Sequence, residues 1–236
     1  MPNFKVRSHK TEIMDDPGLS RELLDPVLKE LTFINRKLGG YKTSLKGIEE
    51  LIGEKNNFSF ADWGCGGGDT IIKVHLHFKK INIQTALYGY DYSPSVVSFA
   101  NEVKPREITI NYSVADILSS SRSVEGVDVS HNSLFCHHFK DEELVIIIKK
   151  MLSQSRLGIV INDLHRHPIA YYSIKILTYF FSKSAMVKND GPLSVLRAFK
   201  RKDWEVILKM AGIKNYDLKW FWAFRWQLII PKDGNC

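Results

Sequence analysis

Over its first quarter the chain repeats apolar residues at helical spacing. In residues 19–38, LSRELLDPVLKELTFINRKL, the side chains of Leu24, Val27, Leu28, Leu31 and Ile34 fall on one face and predict an amphipathic helix. Gly39-Gly40 marks its end, and a second helix is expected over 42–53, stopping at Gly53. Residues 1–18 follow neither period, and Asp16-Pro17-Gly18 reads as a turn. From residue 58 the pattern changes. Phe58–Trp63, Ala86–Tyr90, Ile108–Val114, Val127–Phe135 and Leu157–Asp163 are short runs suited to strands. Helical stretches separate them. One is capped by Asp69 and carries Ile71, Ile72, His75 and Phe78; one opens at Ser93-Pro94; one covers Asp141–Leu152. Strands alternating with helices imply an α/β fold, a parallel sheet covered on both faces. Ile169–Phe181 reads as an aromatic-rich helix, and Tyr216–Phe224 with Arg225–Ile230 as two closing strands joined tightly.

Composition narrows the class. A chain of 236 residues with 44% apolar side chains can bury one α/β core. The formal charge of +7 admits a nucleic-acid partner, but the lysines and arginines are scattered and KRK at 200–202 is the densest run. A solvated basic surface is the simpler reading, and no nucleic-acid partner is expected. Cys65, Cys136 and Cys236 show no CxxC spacing, which points to a reducing cytoplasm without disulfides. Histidines and cysteines do not fall into a zinc-site spacing, so no metal is expected. The N-terminus lacks the apolar segment of a signal peptide. The longest apolar tract, IAYYSIKILTYFF, is interrupted by Lys175 and falls short of the roughly 18–20 residues of a membrane span.

Chemistry enters at FSFADWGCGGGDT, residues 58–70, a glycine-rich turn between a strand and a helix. In an open α/β sheet such a turn lies at the carboxyl edge where ligands bind. Gly64, Gly66 and Gly68 give GxGxG. The dinucleotide fingerprint would place a third glycine at 69, where Asp stands and would repel a pyrophosphate; no GK[ST] of a P-loop follows. Asp91, ending the second strand in LYGYDYS, is placed to accept both ribose hydroxyls, and Asp116 in SVADIL to accept from an adenine amino group. The competing reading makes both of them caps of the following turns.

FADWGCGGGD, LYGYDYS, VADIL and VDVSHNSLFCHHF resemble, in order and spacing, the successive motifs of class I S-adenosylmethionine-dependent methyltransferases over residues 55–165. The resemblance implies a Rossmann-like, seven-stranded, mostly parallel sheet with a reversed final strand, and S-adenosylmethionine as cofactor. By position, Asp62 with Gly64, Cys65, Gly66 and Gly68 would hold the methionine part. Asp91 and Tyr92 would take the ribose, Asp116 and Ile117 the adenine, and Asn132 would lie beside the methionine moiety or the methyl group. Trp63 and Gly67 depart from the pattern without disturbing the glycine spacing. The implied organisation is one methyltransferase domain: a helical cap over 1–54, the cofactor core over 55–165, a lid over 166–200, and a closing helix and strands over 201–236. MDDP, FINRKLGGY, NDLHRHPIAYY and DGPLSVLRAF are similar to a subgroup near the ubiquinone/menaquinone methyltransferases and the small O-methyltransferases of phenolic lipids and polyketides.

That subgroup implies a small, hydrophobic, aromatic hydroxyl acceptor. A phenol, with pKa near ~10, gains from a base as it reacts, and histidine suits the task. His165, after the fifth strand, is the first candidate and His137, after the fourth, the second. Asp163 with Arg166 and Asp190 with Arg197 are read either as ion pairs that fix the lid or as ordinary surface pairing. The alternatives are C-methylation of a quinone precursor, nucleic-acid methylation, and a non-catalytic cofactor-binding regulator. The nucleic-acid reading lacks a [DNS]PP[YFW] tetrad after the fourth strand. The expected protein is monomeric or homodimeric, with at most a weak contact between a lipophilic substrate and a membrane.

Overall fold

The computed structural model describes residues 2–16, 18–119 and 126–232; Pro17 of the expected turn and Cys236 lie outside them. Two helices open the chain, α1 (Arg21–Lys37) and α2 (Gly40–Ile52). Strand and helix then alternate: β1 (Asn57–Trp63), α3 (Asp69–Lys80), β2 (Gln84–Asp91), α4 (Pro94–Val103), β3 (Asn111–Val114), β4 (Val127–Ser133), α5 (Asp141–Gln154) and β5 (Ser155–Leu164). Three helices follow, α6 (Pro168–Phe181), α7 (Ala185–Arg197) and α8 (Arg201–Ala211), and the chain closes with β6 (Asp217–Phe221) and β7 (Arg225–Pro231).

The seven strands form one sheet in the order β3-β2-β1-β4-β5-β7-β6. β1 pairs in parallel with β2 and β4, and β7 runs antiparallel to β5 and β6. Strand order reverses beside β1, which places a crevice at its carboxyl end. Side chains alternate across the sheet as the pleat requires. Phe58, Phe60, Val129 and Val160 pack beneath α2 and α3, while Ala61, Trp63, Ile159 and Ile161 pack against α5 and α8.

Most elements lie where the periodicity puts them. Ser93 caps α4, its Oγ accepting from the Val96 amide at 3.4 Å, with Pro94 in the first turn. β3 starts at Asn111 and not at Ile108, because Ile108 and Ile110 bury themselves in a turn ahead of the ladder. β4 ends at Ser133, since Leu134 takes a positive φ and turns the chain out of the sheet. Asp69 does not cap α3: Gly68 occupies the cap and Asp69 is the first helical residue. Residues 166–200, read from the sequence as a lid, hold two helices where one was legible. The second, α7, runs through Pro192, and a Cβ at Gly191 would stand 3.3 Å from Ile174 and 3.5 Å from Thr178 of α6.

α1 bridges the two halves of the molecule. Leu24 and Leu28 pack on Val96 and Phe99 of α4, and Val27 packs on Met186 and Val187 of α7. It roofs the crevice at the sheet edge. Among the described residues no helix is long and apolar enough to cross a membrane.

Candidate active site

A cavity of about 650 Å³ lies between the carboxyl edge of the sheet and the roof of α1, α6 and α7. Over the ends of β1, β2 and β3 its wall is the glycine turn and a set of carboxylates. Gly64 and Gly68 must both be glycine: each has a left-handed φ, 67° and 76°. A Cβ would stand 2.1 Å from the Phe135 ring at the first and 1.8 Å from Tyr112 Oη at the second. Gly64, Cys65, Gly66 and Gly67 border the cavity, as do Asp62, Asp91, Tyr92, Asp116 and Ile117. Gly68 is set back from it, serving the turn and the Tyr112 contact.

Asp91 is held from both sides. Its Oδ2 accepts from the Gly66 amide at 3.2 Å and its Oδ1 from the Ser93 amide at 3.1 Å. The Tyr92 amide adds a third backbone bond to this carboxylate. Burial pushes its carboxyl above the ordinary range against the pull of these amides. Asp116 is exposed, and its Oδ1 accepts from the Leu118 amide at 2.9 Å. The capping reading of both aspartates is thus partly realised without removing either from the cavity.

Asp62 enters a buried network that the sequence did not announce. Its Oδ1 meets His131 Nδ1 at 2.7 Å, and His131 Nε2 meets Ser44 Oγ at 2.8 Å. Asn162 donates to Ser44 Oγ at 2.9 Å and accepts from Arg225 Nη1 at 3.3 Å. Arg225 Nη2 donates to Asn35 Oδ1 at 3.0 Å, and Tyr41 Oη donates to Asp69 at 2.6 Å. Burial raises the Asp62 carboxyl and lowers the Arg225 guanidinium to about 10. The network clamps α1 and α2 onto the sheet behind the glycine turn. Its only sequence signal is polarity inside an otherwise buried strand, VDVSHNS.

Over the ends of β4, β5 and β7 the wall is different. A short 3-10 turn, Cys136–His138, follows β4. His137 is buried, and its Nδ1–H donates to Asp163 Oδ1 at 2.7 Å while its amide donates to Oδ2 at 3.1 Å. Burial works to raise the Asp163 carboxyl, but His137 outweighs it and holds the group below the ordinary range. With Nδ1 engaged, the imidazole presents its lone pair at Nε2, 3.7 Å from Glu12 Oε1. His138 Nδ1 donates to Asp15 Oδ1 at 2.6 Å. Burial pushes Glu12 up to about 7. Asp15 moves the other way: burial opposes its ionisation, but the hydrogen bonds from His138 and Arg197 prevail.

Four expectations are corrected here. His165 does not border the cavity. Its amide bonds Phe224 O at 2.8 Å, Trp220 Nε1–H donates to its Nδ1 at 3.1 Å, and its ring packs against His167 and Trp226. Burial and the neighbouring His167 lower it to about 4, so it stays uncharged at neutral pH. Asn132 is fully buried on the α5 side, its Nδ2 on Met151 Sδ at 3.4 Å and its Oδ1 accepting from Cys136 Sγ at 3.3 Å. The pleat turns it away from the cavity, which Ser133 and Leu134 border instead. Arg166 pairs with Asp203 at 2.9 Å and not with Asp163. Arg197 pairs with Asp15 at 2.6 Å, and Asp190 accepts from the amides of Ile13 and Met14 at 2.9 and 3.0 Å. These contacts fasten the N-terminal segment to the lid, a link no local pattern could show.

Neither a family model nor a curated protein matches the sequence. Solved structures do match. Human N-acetylserotonin methyltransferase in complex with S-adenosylmethionine superposes with a TM-score of 0.62 at 14% identity, over 95% of this chain. The chain has the class I methyltransferase fold. It spans 63% of the length of that enzyme. The plantazolicin methyltransferase BpumL, in complex with S-adenosylhomocysteine, gives a TM-score of 0.63 at 17% identity, over 87% of this chain and 89% of that one. Magnesium protoporphyrin IX methyltransferase from Synechocystis PCC 6803, with bound S-adenosylhomocysteine, gives 0.53 at 15% identity, over 85% and 88%. At such identities the likeness is one of fold.

Proposed function

We propose that the chain binds S-adenosylmethionine and transfers its methyl group to a hydroxyl of a small, largely apolar aromatic acceptor. One observation carries this reading: a single cavity joins the carboxylate-lined glycine turn to an imidazole anchored by a buried aspartate. The donor set suits the adenosyl group. Asp91, held at the cavity wall by backbone amides, has acceptor capacity left for ribose hydroxyls. The bare backbone at Gly66 admits close approach, since even a Cβ there would meet nothing nearer than Leu28 at 3.9 Å. Asp116 and the buried Ile117 border the place for the adenine, and Asp62 attracts the ammonium.

When bound, S-adenosylmethionine supplies an electrophilic methyl carbon on a sulfonium. The remaining work belongs to the chain. The apolar walls, among them Leu28, Leu31, Ile174 and Leu177, exclude water and favour a reaction in which opposite charges cancel. They also orient the acceptor, and orientation supplies a substantial share of the rate. Asp163 fixes His137 so that its Nε2 lone pair faces the acceptor oxygen and assists its ionisation. His137 therefore replaces His165 as the activating residue. The outer face of α6 exposes Ile176, Tyr179, Phe180 and Phe181, which supports delivery of a lipophilic acceptor from an apolar surface.

The test is a calorimetric titration with S-adenosylhomocysteine, followed by incubation of the enzyme with methyl-labelled cofactor and a panel of phenols. Saturable binding and label transfer to at least one phenol are expected. Binding without transfer to any hydroxyl or carbon acceptor points to a regulatory protein, and absence of binding removes the reading.

A further inference from the structure

His137, His138 and Glu12 form a cluster whose arrangement exceeds what activating an acceptor by a single imidazole requires. One nitrogen from each histidine and one oxygen of Glu12 lie within 4.8 Å of one another, and all three residues border the cavity. Both rings give Nδ1 to a carboxylate, His137 to Asp163 at 2.7 Å and His138 to Asp15 at 2.6 Å. Each Nε2 is thereby left as an oriented lone pair. This carboxylate–imidazole pairing is how proteins fix the tautomer of a metal-ligating histidine. Glu12 Oε1 is buried and accepts no hydrogen bond, although the residue is only 6% exposed. A buried oxygen without a donor is costly and calls for an electropositive partner.

The surrounding charge agrees. Around the cluster lie the carboxylates of Glu12, Asp15, Asp141, Asp163 and Asp190, against the guanidiniums of Arg7 and Arg197. Arg197 Nε comes within 3.6 Å of Glu12 Oε1, but its one N–H donates to the His137 carbonyl, and the other bonds of the guanidinium go to Asp15 and to the carbonyls of Lys10 and His138. We infer that Glu12, His137 and His138 bind a divalent first-row transition-metal ion. Two imidazoles and one carboxylate are a ligand set for zinc or iron with open positions. The 3.7 Å between His137 Nε2 and Glu12 Oε1 already suits two bonds of ~2.1 Å to one ion. Tetrahedral bonds of that length set donors ~3.4 Å apart, so the widest pair, within 4.8 Å, closes by at most ~1.4 Å, a movement within reach of side-chain torsions. The cluster borders the cavity, where the ion would receive the acceptor oxygen and stabilise it as an oxyanion; in the metal-bound protein His137 serves as a ligand and the hydroxyl proton passes to solvent. This role in catalysis rests on the proposed methyl transfer; the binding of the ion does not.

The full-length protein, stripped with a chelator, is titrated with Co²⁺ and in competition with Zn²⁺. One equivalent per chain and a visible d–d band are expected. Glu12→Gln and His138→Gln should each weaken binding at least tenfold, and Asp15→Asn, which loosens the His138 ring, by ~10-fold or more. All three should retain S-adenosylhomocysteine binding, which reports an intact cofactor half. No d–d band, or equal Co²⁺ affinity in the ligand variants, overturns the site. If a variant fails to fold, the Co²⁺-loaded wild type decides: two paramagnetically shifted imidazole N–H resonances are expected, and their absence overturns it. Metal binding without cofactor binding would leave the site standing and remove the methyl-transfer reading. Full turnover in metal-free protein would remove the ion from catalysis.

Discussion

The two ends of the cavity are built on different principles. The cofactor end comes from a continuous stretch, 62–117, in which Asp91 and Asp116 follow strand ends and are braced by backbone amides, while Asp62 is braced from outside the stretch by His131. Asp91, fixed by Gly66 and Ser93, is the type example. The acceptor end is made of residues far apart in sequence: Glu12 and Asp15 from the N-terminal segment, His137 and His138 after β4, Asp163 in β5, Arg197 at the end of α7. Its braces are buried side-chain charges. Local bracing leaves the cofactor end tolerant of change elsewhere, whereas the acceptor end depends on the N-terminal segment staying tied to the lid through Asp190 and Arg197.

That contrast can be pressed by substitution. The largest effect is expected for Asp163→Asn, which no longer selects the Nδ1–H tautomer of His137; turnover should fall by ~100-fold or more with S-adenosylhomocysteine affinity unchanged. A parallel loss of cofactor affinity in calorimetry would mean that the two ends are not separable. Asp91→Ala should do the reverse, weakening S-adenosylhomocysteine binding at least ~10-fold through two lost hydrogen bonds, while the acceptor KM holds. Unaltered affinity would take Asp91 out of the site. Asp116→Ala should cost less, about 3-fold, because that carboxylate is exposed and already shared with the Leu118 amide.

The smallest effect on activity is expected for His165→Ala, within ~2-fold of wild type, since this residue lies outside the cavity; a large loss would restore it as a catalytic candidate. Its signature is in stability. The folded protein holds His165 at about 4, below the unfolded value of ~6.5. The unfolded chain therefore binds the proton first, and stability is lost as pH falls from about 6.5 towards 4. Thermal unfolding between pH 7 and 5 should show a shallower decline in His165→Ala than in wild type. Identical slopes would mean that the ring is hydrated.

How much of this was legible follows from the same contrast. The strand–turn–helix rhythm, the glycine turn and Asp62, Asp91 and Asp116 could be read because each acts within a few residues of a strand end. The errors are equally instructive. His165 follows β5 by one residue, at the correct edge, yet aromatic packing with Trp226 and a bond from Trp220 draw it off the cavity. Asn132 failed on parity, since one step along the strand exchanges the cavity for the α5 face. The Asp62–His131–Ser44 relay and the pairing of His137 with Asp163 join residues that only the closed sheet brings together.

Hydrophobic periodicity and turn chemistry, which are properties of neighbours along the chain, by themselves determined the α/β fold and the cofactor edge of this protein. The tertiary structure decided which histidines border the cavity, what holds them, and that Glu12 Oε1 is buried without a hydrogen bond. The reason is physical: a charge in the interior takes its character from partners at contact distance, and those partners come from sequence positions more than a hundred residues apart as readily as from adjacent ones.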